Sequence, residues 1–271
     1  MTSEIFQLKH ELWLQTLFAS FAIEDPKIKD ELYDFALIEF RHLRWIAREL
    51  FSKGKDYSYD RSRLLYKSDS TFEPLRLLIT EIKKTMELYP ATALSARMIT
   101  DEHYLISRLA SILENPDNNK AVTAFNMHRT LPGKTLDQTQ LDAMTLFLFE
   151  ESYKEYELIL VYAYMQNKSS NITEHDIYQD LIDESQFHLK SFGNLMAKMG
   201  ILALPRELHE HTYKIDDVET FIRNGIDEEE NAKEQCRELA GMITDKELSE
   251  FFDFINFQES YHIELMKKLL N

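Results

Sequence analysis

The sequence predicts an all-helical chain built as two four-helix units in tandem. Three observations predict it. Only six glycines and six prolines punctuate 271 residues, too few for a strand-and-turn fold. Long segments repeat apolar residues at three- and four-residue spacing, the period of an amphipathic helix. A run of loop-forming residues, from Asn115-Pro-Asp-Asn-Asn-Lys120 through Leu131-Pro-Gly-Lys134, divides the chain almost in half. Such stretches mark domain boundaries.

Eight helices follow in order. The first runs from Ser3 to Ala22 and ends before Asp25-Pro26, a turn that starts the second helix. The second continues through Phe51 and stops at Ser52-Lys53-Gly54. A polar, tyrosine-rich loop precedes helices over Phe72 to Tyr89 and Ala91 to Glu114, separated at Pro90, which cannot continue a helix. Beyond the boundary lie helices over Leu136 to Gln166, Glu174 to Met199, Ile215 to Met242 and Asp245 to Leu270. Thr244-Asp-Lys-Glu247 has the spacing of a capping box for the last of these. The expected units are therefore residues 1–114 and 136–271, with 115–135 as linker.

Composition narrows the function. A hydrophobic content of 44% suffices for a core. The single cysteine, Cys236, excludes a disulfide framework and a thiolate metal knuckle within the chain, so any metal must use carboxylate and imidazole. A formal net charge of -16 disfavours nucleic-acid and anionic-membrane surfaces, which need clustered Lys and Arg. It suits a protein that attracts cations, and equally a solvated acidic surface. Charged residues interrupt every apolar stretch before a membrane span is reached, and the start lacks a basic flank with a long apolar run, so a cytoplasmic location is expected.

A helix presents residues three and four apart on one face, so Glu-x-x-His aims a carboxylate and an imidazole at one point. Two such pairs occur, Glu39-Phe-Arg-His42 and Glu259-Ser-Tyr-His262, and Glu184-Ser-Gln-Phe-His188 uses the four-residue step. By itself the motif is common by chance. A dinuclear carboxylate site also needs one Glu from each of two partner helices. Glu229 lies on the stripe of Ala232, Cys236 and Ala240, and Glu151 lies in line with Phe147 and Leu158, with Glu150 as the competing choice. His103 and the pair His209 and His211 lack further ligands at metal-site spacing and are read as bystanders; Tyr153, Tyr156 and Tyr261 are read as packing.

Glu151-Ser-Tyr-Lys-Glu-Tyr156, the stripe from Glu229 to Ala240, and Gln258-Glu259-Ser-Tyr-His262 resemble the ligand helices of the ferritin and rubrerythrin superfamily. The order also matches: Glu151, then Glu184 with His188, then Glu229, then Glu259 with His262. The second helix departs from the family pattern, because the position three before His188 is Ser185 and Glu184 stands four before. The first half resembles the superfamily most at Ile38-Glu39-Phe-Arg-His42 through Leu50, with Glu11 at the first-helix carboxylate position and Glu102 in the fourth helix. There the third-helix ligand position falls on Ile82 and the last histidine position on Leu105, so this unit is read as a degenerate copy. Its secondary metal candidates are Glu11, Glu39, His42 and Glu102.

The resemblance implies two tandem ferritin-like four-helix bundles. It also implies a C-terminal centre of two irons, or manganese, ligated by Glu151, Glu184, His188, Glu229, Glu259 and His262. The implied activity is that of an oxidoreductase or ferroxidase reacting with dioxygen or peroxide. Because no rubredoxin module is present, a peroxidase would draw electrons from a separate protein; a homodimer is compatible. The competing readings are non-catalytic iron binding and a structural or partner-binding helical protein with a decayed site.

Overall fold

In a computed structural model the described residues are 1–62, 67–203 and 205–270. Part of the expected tyrosine-rich loop, residues 63–66, lies outside them, as do residues 204 and 271 of the expected C-terminal unit. The described residues are all-helical, with no strand and a single isolated bridge between Ser70 and Ala121. None of their helices is long and apolar enough to cross a membrane.

The chain divides into two compact units, Met1–Asn126 and Met127–Asn271. The first holds α1 (Ser3–Ala22), α2 (Pro26–Ser52), α3 (Phe72–Glu87) and α4 (Ala93–Glu114). Thr2 caps α1, its hydroxyl accepting from the Ile5 amide at 3.3 Å. Asp25 caps α2 with Pro26 at its first turn, where the missing amide proton costs nothing. The Asp25 carboxylate accepts from the amides of Lys27 and Ile28 at 3.0 and 3.1 Å. Thr92 caps α4 two residues beyond Pro90, which ends the preceding helical run. Helix α1 packs on both α2 and α3, and α4 covers α2 and α3. It is buried almost all round, carrying Trp13, Phe18 and Phe21 into the core together with the polar Lys9 and His10.

The second unit holds α5 (Gln138–Lys168), α6 (Ile172–Lys198), the short α7 (Glu210–Tyr213), α8 (Val218–Met242) and α9 (Lys246–Leu269). α7 is a single turn beyond the eight helices expected. α5 begins in a reciprocal capping box: Asp137 accepts from the Gln140 amide at 2.9 Å and Gln140 accepts from the Asp137 amide at 3.1 Å. For α9 the cap is Asp245, which accepts from the Leu248 amide at 3.1 Å. This is one residue later than the Thr244 box expected from sequence; the Thr244 hydroxyl instead accepts from Gln140 at 3.4 Å. α5 pairs with α6 and α8 with α9, and α6 meets α9 while α5 meets α8.

Residues 115–135, expected as a linker, are divided between the units by hydrogen bonds. The Thr71 amide donates to the Lys120 carbonyl at 2.9 Å and the Val122 amide to Asp69 at 3.1 Å, tying this part to the first unit. The Met127 and Arg129 amides donate to the carbonyls of Gly200 and Met199 at 2.8 and 3.0 Å, tying the remainder to the second.

Candidate metal centre

Four helices of the second unit aim carboxylates and imidazoles inward. α5 contributes Glu151 and Glu155, one helical turn apart on one face. α6 contributes Glu184 and His188, α8 Glu229, and α9 Gln258, Glu259 and His262. Glu151, Glu155, His188, Glu229, Glu259 and His262 are each no more than 5% exposed. Glu184 sits at the rim, half-buried.

Glu259 is the hub. One of its oxygens lies 3.4 Å from Nδ1 of His188 and the other 3.0 Å from Nδ1 of His262. The same Nδ1 of His188 lies closer to Glu155, at 2.7 Å, and the Gln258 side-chain oxygen meets Nε2 at 3.2 Å. Nε2 of His262 lies 2.7 Å from Glu184. The two imidazole centroids are 5.3 Å apart. Ligand atoms of His188, Glu259 and His262 all lie within 4.8 Å of one another, close enough to hold metal.

Electrostatics describe a site rich in buried negative charge. Burial pushes Glu229 well above the carboxylate range, and the neighbouring Glu259 adds to the shift. Burial also raises Glu151, to about 7. Burial acts upward on Glu259 too, but the hydrogen bond from His262 and the charge of His188 hold it below its ordinary value. Both histidines are raised despite burial, His188 chiefly by Glu155 and His262 chiefly by Glu184 and Glu259. Burial lowers Lys154, yet Glu229, Glu151 and Glu155 outweigh it and keep its ammonium charged. Several buried polar atoms find no hydrogen-bond partner in the protein: Oε2 of Glu155, the hydroxyl of Tyr162 and Oγ of Ser185. Such atoms are costly to leave unpaired, so this cluster fits a bound cation.

Of the six residues expected from sequence, Glu184, His188, Glu259 and His262 form one contact network. Glu229 lies close enough to Glu259 to interact with its charge, and Glu151 stands beside Lys154 at the edge. Glu184 reaches across to His262 on α9, while His188 is met by Glu155 of α5. Sequence reasoning missed Glu155, Gln258 and Lys154. Glu155 carried a usable signal, since it lies one turn after Glu151. The Glu150 alternative falls away because Glu150 is exposed and Glu151 buried. A groove of ≈ 720 Å³ between α5 and α8, lined by Glu151, Lys154, Glu157, Glu228 and Ala232 among others, opens toward this edge.

The first unit holds a second cluster. Ligand atoms of Glu39, His42 and Glu102 again lie within 4.8 Å of one another, and all three residues are fully buried. Lys9 of α1, also fully buried, pairs with both carboxylates: its ammonium is 2.5 Å from Glu102 and in ion-pair contact with Glu39. The Tyr89 hydroxyl donates to Glu102 at 2.9 Å, and Nε2 of His42 meets Asp101 at 3.0 Å. Burial acts downward on Lys9, but Glu102 and Glu39 raise it far above the usual lysine range. Glu11 does not join this group. Its carboxylate accepts from the Ser62 amide at 2.6 Å and the Ser62 hydroxyl at 2.7 Å, because position 11 lies two residues, about 200° of helix, from Lys9. Ile82 and Leu105 are buried apolar side chains. His103, His209 and His211 are exposed.

No protein-family model matches the chain, and neither a curated protein nor a solved structure matches it at a significant level, so its reading rests on its own geometry.

Proposed function

We propose that the chain is a tandem ferritin-like protein whose second unit holds a dinuclear metal centre, iron or alternatively manganese. Its proposed activity is that of an oxidoreductase or ferroxidase acting with dioxygen or peroxide. The observation that carries this reading is the convergence of buried carboxylates and two imidazoles from four helices, with buried oxygens lacking protein partners. An oxygen-rich set with two imidazoles is a hard to borderline environment, which suits iron and manganese.

Glu259 would be shared between the two positions, since its two oxygens address the two histidines separately. His188 with Glu155 would hold one ion and His262 with Glu184 the other, with Glu229 and Glu151 completing the charge. When bound, iron supplies the electrons that reduce dioxygen or peroxide. The protein's own side chains do the rest. Gln258 orients the His188 ring, Lys154 balances the carboxylates of α5 and α8, and Phe192, Cys236 and Phe252 keep the site dry. The groove between α5 and α8 reaches the centre's edge at Glu151 and Lys154.

A second reading, an ion-pair network without metal, is favoured by the close His188–Glu155 and His262–Glu184 pairs. Elemental analysis of the full-length protein expressed with added iron separates the two. We expect about two irons per chain, lost in Glu259→Ala and in His262→Ala. Metal-free wild type, or equal iron in all three proteins, would overturn the dinuclear reading.

A further inference from the structure

We propose that the ammonium of Lys9 occupies the cation position of the first unit, making that unit complete without a metal ion, and that Lys9→Glu converts it into a divalent-cation site. The proposal stands on the first unit alone and is independent of the activity proposed for the second.

Glu39, His42 and Glu102 offer a ligand trio as compact as that of His188, Glu259 and His262. What differs is the contribution of the first helix of each unit. In the second unit α5 brings Glu155, a further carboxylate, against the histidine of the next helix. In the first, α1 brings Lys9, whose nitrogen is in contact with an oxygen of both Glu39 and Glu102. A divalent ion bound to those same oxygens would lie within a few ångströms of the ammonium, where like charges in a buried site repel strongly. The tethered cation is therefore a permanent resident rather than a bystander.

The surroundings agree with a single positive charge as the whole requirement. Tyr89 donates to the Glu102 oxygen that faces Lys9. Burial and the neighbouring Glu102 raise Glu39 above the ordinary carboxylate range, and the Lys9 ammonium lies against an oxygen of each carboxylate. The helix positions that would supply further ligands carry Ile82 and Leu105. The Lys9 side chain thus stands where a bound cation would otherwise sit between Glu39 and Glu102.

Two features make the test direct. The only tryptophans of the chain, Trp13 and Trp45, lie in the first unit, so tryptophan fluorescence follows the unfolding of that unit. The ring of Trp45 is 5.5 Å from that of His42. Full-length protein carrying Glu259→Ala, which disables the second cluster, is compared with the same protein carrying Lys9→Glu as well. Both are dialysed against Mn(II), counted for metal and melted with and without Mn(II). We expect the Lys9→Glu protein to take up about one more ion per chain and its fluorescence melt to rise with Mn(II), while its parent shows neither. An ion bound by the parent with a rise in its fluorescence melt would overturn the proposal, as would a helical, folded Lys9→Glu protein with no added metal. Should Lys9→Glu fail to fold, Lys9→Met decides together with the parent. It leaves buried carboxylates without their cation and is expected to melt lower by about 5 °C or more, and an unchanged midpoint would overturn the proposal.

Discussion

At the scale of single residues, burial decides which ionisable groups matter, and His10 is a clear case. It lies fully buried on α1, its ring stacked on Trp13 with centroids 6.0 Å apart and edge-on to Tyr59 at 5.4 Å. Burial, assisted by the charge of Arg61, pushes its pKa down to about 3. The unfolded chain binds a proton there near pH 6.5 while the folded chain does not, so stability falls as pH drops from about 6.5 toward 3. The slope from this one group approaches about 1.4 kcal/mol per pH unit. Denaturant titrations followed by tryptophan fluorescence should show that slope in wild type and a shallower one in His10→Gln. Parallel acid limbs in the two proteins would show that other groups carry the acid sensitivity.

At the scale of helices, the caps fix where each ligand-bearing face begins. The Asp137–Gln140 box sets the phase of α5, and Gln140 extends it by donating to the carbonyl of Met242 at 2.8 Å, joining the start of α5 to the end of α8. Glu151 and Glu155 lie three to four turns further along the same helix. Asp137→Ala should lower the stability of the second unit by about 1 kcal/mol, measured by urea titration with far-ultraviolet circular dichroism. A loss of less than about 0.3 kcal/mol would mean that packing alone starts the helix.

At the scale of the whole molecule, 47 acidic residues face 31 basic ones, and like-charge repulsion opposes the folded state. Many exposed pairs are local, such as Arg223 with Glu219 and Lys267 with Glu264, and such pairs contribute little. Screening should therefore win: raising NaCl from about 10 mM to about 150 mM shortens the Debye length to about 8 Å and is expected to raise the calorimetric melting temperature. A falling midpoint would show that the surface pairs outweigh the net repulsion.

The sequence by itself determined the helical class and the positions of eight helices to within a few residues, and it placed some buried ionisable residues, such as Glu229 and His262, on their helix faces while missing Glu155. Those properties are local: periodicity, caps and glycine or proline breaks act within one or two turns. Glu229 could be placed on its stripe from Ala232, Cys236 and Ala240 for that reason. Only the tertiary structure decided who meets whom. That Glu155 rather than Glu184 holds His188, that Glu184 crosses to His262, that Glu11 turns to Ser62, and that Lys9 fills the space among Glu39, His42 and Glu102 all depend on helix rotation and on residues distant in the chain. Lys9 illustrates the limit best. On α1 alone it is one lysine among apolar neighbours, and its role exists only because two carboxylates from other helices bury themselves around its charge.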